Sequence, residues 1–133
     1  MNPGSKALNR SPRPVFLNVL QIQLPVGALT SFGHRLSGVA LAAGVPAAAY
    51  LLALSLQDER GFSKVTAILS AAPSRAATVL LVWALAHHVF AGVRHLLSDF
   101  NVGSPLRSAR RSAYAVNFSG AAIALFVAWA ELR

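Results

Sequence analysis

The 133-residue sequence contains no cysteine and only four acidic residues. Without cysteine the chain cannot form a disulfide, ligate an iron–sulfur cluster or attach haem through a C-x-x-C-H motif. Four acidic residues leave little scope for paired carboxylates that act as general acid and base. Charged residues make up 12% of the chain, about half the share found in soluble domains, while 55% of residues are hydrophobic. This balance indicates that lipid surrounds most of the chain.

Long uncharged segments dominate the sequence. Three of them, of 22, 18 and 19 residues, contain no Asp, Glu, Lys or Arg. A helix needs about 20 mostly apolar residues to cross the hydrocarbon core, and it pairs its own backbone groups there. The sequence therefore predicts an all-α integral membrane bundle of three transmembrane helices. The predicted single membrane-anchor domain, 1–133, comprises an amphipathic segment over 1–29, spans over 30–57, 74–98 and 111–131, and a short surface helix over 61–71 that ends near Pro73.

The basic residues beside the spans favour one orientation. Net charge is +4 over residues 1–35, +1 over 57–75 and +3 over 94–111. Because short loops on the cytoplasmic side of a membrane carry an excess of Lys and Arg, the N-terminus and the second loop are predicted to face the cytoplasm or matrix. The net charge of +8 could also indicate nucleic-acid binding. The uncharged spans favour a lipid bilayer as the partner instead, with no nucleic acid.

Two polar clusters lie at the predicted inner ends of the first and second spans, and together they contain all four histidines. Antiparallel neighbouring helices would bring the two clusters together. An ionisable side chain inside the membrane is costly, so it indicates a functional site by default. The first cluster is Thr30, Ser31, His34, Arg35, Ser37 and Gly38; the second is His87, His88, Gly92, Arg94, His95 and Asp99.

The second cluster offers ligands for a metal or haem. His88 lies six residues before Arg94, about 9 Å deeper along a helix, and shares a face with His95. Imidazole binds haem iron, copper and zinc, and a single axial histidine suggests haem b with a second ligand from a partner chain. On the first span, Ser31 and Arg35 are one turn apart and could offer a hydroxyl and a guanidinium to one small ligand.

Simpler roles remain open for several of these residues. Arg94, His95 and Asp99 could reach water by snorkelling from the inner boundary. Thr30 is better explained as a helix N-cap.

The two adjacent histidines cannot share a role. His87 and His88 point about 100° apart on a helix, so they cannot both face one ligand. At least one of them is expected to be satisfied by a hydroxyl or carbonyl on a neighbouring helix. Gly38 and Gly92 are either close-packing positions or, for Gly92, a place where a flat macrocycle could lie.

Two motifs in these clusters resemble the succinate dehydrogenase cytochrome b subunit family. One has the pattern Ser-x-x-His-Arg-x-Ser-Gly, within a segment that begins with Arg13-Pro14; the other has the pattern His-x-x-x-Gly-x-Arg-His-x-x-x-Asp. The resemblance covers essentially the whole chain, although the third span and the first loop match only in character. The matching positions are Ser31, His34, Arg35, Ser37 and Gly38, then His88, Gly92, Arg94, His95 and Asp99.

The resemblance implies a haem b shared with a second three-helix anchor subunit. His88 would be the axial ligand of the haem iron from this chain, and the other anchor would supply the second histidine. His34, Arg35 and His95 would contact the haem propionates. Ser31 and Arg35 would line a site for ubiquinone as substrate. Succinate oxidation would take place on a flavoprotein subunit and reach quinone through an iron–sulfur subunit, so this chain is a non-flavin part of the enzyme with no catalytic residue of its own.

Some assignments stay open at this stage. The resemblance implies Asp99 as a partner of Arg35 or of another cation of the pocket, and it gives His87 no role. The alternatives are the anchor of a fumarate reductase, a structural anchor without haem, and a subunit of a cation transporter, which would need acidic groups that the three spans lack. The absence of a long Arg/Ser-rich presequence favours a multi-pass protein of a bacterial inner membrane over a mitochondrial one.

Overall fold

The computed structural model describes residues 23–133, and this part of the chain is all-α, as predicted. Most of the predicted amphipathic segment over 1–29 lies outside the described residues. The first long helix begins at Val26, directly after Pro25, rather than at residue 30. The helices are α1 (Val26–Ser55), α2 (Glu59–Ser70), α3 (Ala72–Asp99) and α4 (Leu106–Glu131).

Helices α1, α3 and α4 are long and apolar enough to cross a membrane, which confirms the three-span prediction. Their outer faces carry large apolar side chains: Phe32, Val39 and Phe118 expose 65%, 69% and 77% of their surface. The residues buried between the helices are mostly small, such as Ala84 and Ala113. Small residues let membrane helices approach closely, while lipid covers the large side chains. The exposed apolar surface is therefore the expected outside of a membrane bundle.

The three long helices alternate in direction, with α3 packed against both α1 and α4. At one end, Gly27 of α1 lies beside the guanidinium of Arg94, which also bonds to Ser112 of α4. At the other end, Arg75 of α3 donates to the carbonyl oxygen of Glu131 in α4 at 3.0 Å. The start of α1, the end of α3 and the start of α4 therefore meet. This arrangement brings the two polar clusters together, as the sequence predicts.

The predicted surface helix in the first loop is α2. Its N-cap is Asp58, whose Oδ1 accepts a hydrogen bond from the Gly61 amide at 2.6 Å. Pro73 does not terminate this helix: α2 ends at Ser70, and Pro73 lies in the first turn of α3. Proline suits that position, because the first turn of a helix needs no amide donor.

Replacing Asp58 by alanine is expected to destabilise the start of α2 by about 1 kcal/mol, because the Gly61 amide loses its acceptor. Hydrogen–deuterium exchange of the α2 amides measures the effect. Ser63→Ala, an exposed change within the same helix, serves as the control. Equal exchange of the first α2 amides in Asp58→Ala and Ser63→Ala would contradict the capping role.

Candidate functional site

Three of the four histidines form a stack between α1 and α3. The ring of His34, from α1, lies between those of His88 and His95, both from α3. The ring centroids are 4.1 Å apart for His34 and His88 and 5.1 Å apart for His34 and His95, with interplanar angles of 21° and 22°. All three histidines that the sequence assigns to cofactor binding are therefore neighbours in the fold.

The ring of His88 is oriented by groups on α1. Its Nδ1 lies 3.1 Å from the backbone carbonyl oxygen of His34 and 3.2 Å from the hydroxyl of Ser37. Ser37 is fully buried, and its hydroxyl donates to the same carbonyl at 2.8 Å. A carbonyl oxygen only accepts, so the His88 proton belongs on Nδ1. The lone pair of Nε2 is then available, which is the arrangement that orients a metal-binding histidine.

Two glycines make room for the stacked rings. A Cβ at Gly38 would lie 3.1 Å from Cε1 of His88, and a Cβ at Gly92 would lie 3.5 Å from Nε2 of His34. Gly38 is therefore needed for the close approach of His88 to α1. At Gly92 the His34 ring lies at an ordinary contact distance, so the two alternatives for this glycine stay open.

Hydrogen bonds fix the C-terminal end of α3. Arg94 donates from Nε to the Ser112 hydroxyl at 3.1 Å and from Nη2 to the Ala109 carbonyl at 3.3 Å. His95 donates from Nδ1 to the Ala91 carbonyl, one turn earlier, at 2.7 Å. Arg94 therefore ties α3 to α4, which goes beyond the simple snorkelling that its sequence position allowed.

The two predicted quinone-site residues lie on α1 beside the histidine stack. Ser31 is half-buried and Arg35 is exposed, and a spacing of four residues puts them on one face. At 100° per residue this face lies next to that of His34. Asp99 is exposed as the last residue of α3, and its pairing with Arg35 stays a prediction.

Thr30 is not a helix N-cap. It lies in the second turn of α1, whose N-cap is Pro25, because the helix starts before the expected position. The Thr30 side chain is fully buried, and its hydroxyl donates to the Val26 carbonyl at 3.0 Å. It also lies 3.2 Å from Oδ1 of Asn117 in α4. Asn117 was not singled out from the sequence, although the only amide side chain of the third uncharged span is a usable signal.

Both adjacent histidines of α3 are satisfied by carbonyls of α1, as expected for at least one of them. His87 points into the bundle, where only 3% of its surface is exposed, and Nε2 lies 3.4 Å from the Thr30 carbonyl oxygen. His88 points toward His34 instead. The two rings therefore occupy different faces of α3, in agreement with their 100° separation.

Comparison with known proteins identifies the family. The family described as "Succinate dehydrogenase/Fumarate reductase transmembrane subunit" matches residues 9–129. The chain is 28% identical over 109 residues to a Paracoccus denitrificans protein named succinate dehydrogenase cytochrome b556 subunit, covering 82% of this chain and 84% of that protein. A Coxiella burnetii protein of the same name is 32% identical over 105 residues, covering 78% of this chain and 84% of that protein. The chain belongs to the succinate dehydrogenase/fumarate reductase transmembrane subunit family.

Proposed function

We propose that this chain is the haem b-binding anchor subunit of a succinate dehydrogenase and helps to form its ubiquinone-reduction site. The observation that carries the proposal is the His88 ring, whose Nδ1 is held by the His34 carbonyl and the Ser37 hydroxyl on α1, so that the Nε2 lone pair can bind a metal. The name of the two relatives, cytochrome b556 subunit, supports a haem of the b type.

The histidine cluster fits a haem better than a bare metal ion. Within residues 23–133, no group of three or more His, Asp or Glu side chains is arranged to hold a metal. A porphyrin provides four nitrogen ligands itself and requires only axial ligands from protein. His88 would provide one, and a histidine of a second anchor subunit would provide the other. When bound, the haem supplies one-electron redox chemistry.

The neighbouring polar groups suit the haem propionates. His34 and His95 stack with His88 in one row, and Arg35 lies one residue beyond His34 on α1. Imidazole N–H groups and a guanidinium donate strong hydrogen bonds to carboxylates. These three side chains would hold the propionates and so fix the haem against α1 and α3.

Quinone reduction would use the adjoining face of α1. The Ser31 hydroxyl can donate to a quinone carbonyl, and the Arg35 guanidinium can stabilise negative charge that develops on a quinone oxygen during reduction. The flavoprotein subunit would pass electrons from succinate to the iron–sulfur subunit, and the iron–sulfur subunit would pass them to ubiquinone. This chain then contributes side chains to the acceptor site, while oxidation of succinate takes place on another subunit.

The thin bundle and its charges support the proposed assembly. Three helices bury few residues among themselves and leave apolar surface that a second three-helix anchor could cover. The excess of basic residues before α1 and around the α3–α4 loop would put the N-terminus on the cytoplasmic side of a bacterial inner membrane. The flavoprotein and iron–sulfur subunits would dock on that same side, near Ser31 and Arg35.

Purification through an affinity tag on this chain, expressed with its native neighbours, tests the proposal. The expected complex contains a flavoprotein and an iron–sulfur protein, carries about one haem b, and reduces ubiquinone with succinate. Membranes with an untagged chain provide the control for the purification. A complex that retains the other subunits but contains no haem would make the chain a structural anchor and would contradict the proposal.

A further inference from the structure

His87 is the buried ionisable side chain that neither the family motifs nor the proposed function uses. Only 3% of its surface is exposed, although it lies in a helix whose outer face meets lipid. Among the described residues it is the one ionisable side chain that is buried. Burial of such a group in the membrane interior is costly unless its surroundings are built for it.

All three long helices contact the ring of His87. On α1, the Thr30 carbonyl oxygen lies 3.4 Å from Nε2, and a Cβ at Gly33 would come within 2.7 Å of the same nitrogen. On α4, a Cβ at Gly120 would lie 3.5 Å from Nδ1. Trp83, one turn earlier on α3, stacks on the ring with centroids 5.4 Å apart. The ring therefore occupies a slot that exists because Gly33 has no side chain.

A second polar contact links the same region of α1 to α4. The Thr30 hydroxyl, fully buried, lies 3.2 Å from Asn117 Oδ1, while the Thr30 carbonyl faces His87. One residue of α1 therefore meets a polar side chain of each neighbouring helix. Interhelical polar contacts of this kind add to the packing of small residues in holding membrane helices together.

The position of His87 determines the direction of His88. Consecutive residues of a helix point about 100° apart, so α3 cannot place His87 in its slot without turning His88 toward His34 and Ser37. A rotation of α3 about its axis would remove both rings from their sites together. Because the slot is closed on three sides, it restricts that rotation.

We propose that His87, seated beside Gly33 and Thr30, is a positioning residue that sets the rotation of α3 and thereby aims His88 at the haem iron. The aiming role rests on the proposed function, since it takes His88 to be the haem ligand. His87 itself touches neither haem nor quinone. Its neighbours from three helices would preserve the orientation of His88 before the cofactor arrives.

A pair of substitutions tests this inference in the purified complex. Gly33→Ala places a methyl group against the His87 ring and should displace the ring. The expected loss of haem is about tenfold, the lower end of the effect on metal binding when a group that orients a ligand is changed. His87→Ala removes the ring, so the double variant Gly33→Ala/His87→Ala should bind more haem than Gly33→Ala alone. Gly27→Ala is the matched control on α1, because its Cβ would meet Arg94 at an ordinary 3.7 Å.

Haem content per complex and the electron paramagnetic resonance spectrum of the ferric haem are the readouts. Gly27→Ala should match the wild type, whereas His87→Ala alone should shift or broaden the ferric signal. The inference is overturned if Gly33→Ala matches Gly27→Ala or if the double variant is no better than Gly33→Ala. If Gly33→Ala does not assemble, an unchanged signal in His87→Ala overturns it. A wild-type complex without haem would instead refute the proposed function, and the aiming role with it.

Discussion

Replacing His88 by leucine is expected to remove haem b from the complex while the three spans remain in the membrane. The His88 ring is held at Nδ1 by the His34 carbonyl and the Ser37 hydroxyl of α1, so the lone pair of Nε2 can serve as a ligand. Leucine has a comparable size and suits the apolar surroundings, but it cannot coordinate iron. Loss of the axial ligand itself should lower the haem content more than the roughly tenfold decrease expected when only a group that orients the ligand is changed. The dithionite-reduced minus oxidised spectrum and the haem content per complex measure the effect.

Val89→Leu is the matched control for this variant. Val89 is the next residue of α3 and is exposed on its outer face, so an added methylene there should change neither haem nor assembly. The amounts of flavoprotein and iron–sulfur subunit recovered with each variant separate haem loss from failure to assemble. Full haem content in His88→Leu would contradict the assignment of this residue.

Substitution of Arg35 by alanine is expected to lower quinone reduction by about a hundredfold, which is typical for loss of a group that stabilises developing negative charge. Ser31→Ala removes one neutral hydrogen bond, worth about 1 kcal/mol, and should lower the rate roughly fivefold. Both side chains lie on one face of α1 next to His34. Succinate-dependent reduction of a ubiquinone analogue in the purified complex measures both effects.

Conservative variants and a second acceptor make this test specific. Ser31→Thr keeps the hydroxyl and should retain most of the rate, while Arg35→Lys keeps the charge but loses the planar fork and should recover only part of it. Electron transfer to a soluble acceptor that bypasses the membrane subunits should stay at the wild-type rate in every variant. An equal loss with the soluble acceptor would show that the substitutions damage the assembly rather than the quinone site.

The spans and the meeting of the two polar clusters follow from the sequence. Charged residues are excluded from the hydrocarbon core, so their distribution reveals where the chain crosses. Three consecutive spans joined by short loops alternate in direction, and this puts His34 near His88. The structure confirms both features, with the two rings 4.1 Å apart.

The inward face of each span could not be read from the sequence. Thr30 and Ser37 are fully buried, but the apolar residues that make up most of the span show no amphipathic pattern that separates the side facing another helix from the side facing lipid. The N-cap assigned to Thr30 was wrong for a related reason. α1 begins at Val26, about one turn before the predicted start at residue 30, and Pro25 precedes its first turn. The pairing of Thr30 with Asn117 depends on the packing of α1 against α4, and the two residues are 87 positions apart in the chain.

Replacement of His88 by glycine, followed by addition of free imidazole, tests whether this side chain binds the haem iron. Glycine leaves the space of the side chain open, so a small exogenous ligand can reach the iron from the position of the missing ring. We expect a complex without a b-type band in the reduced minus oxidised spectrum, and partial return of that band when haem and imidazole are added together. A wild-type band in His88→Gly without imidazole would show that another side chain binds the iron and would contradict the assignment of His88.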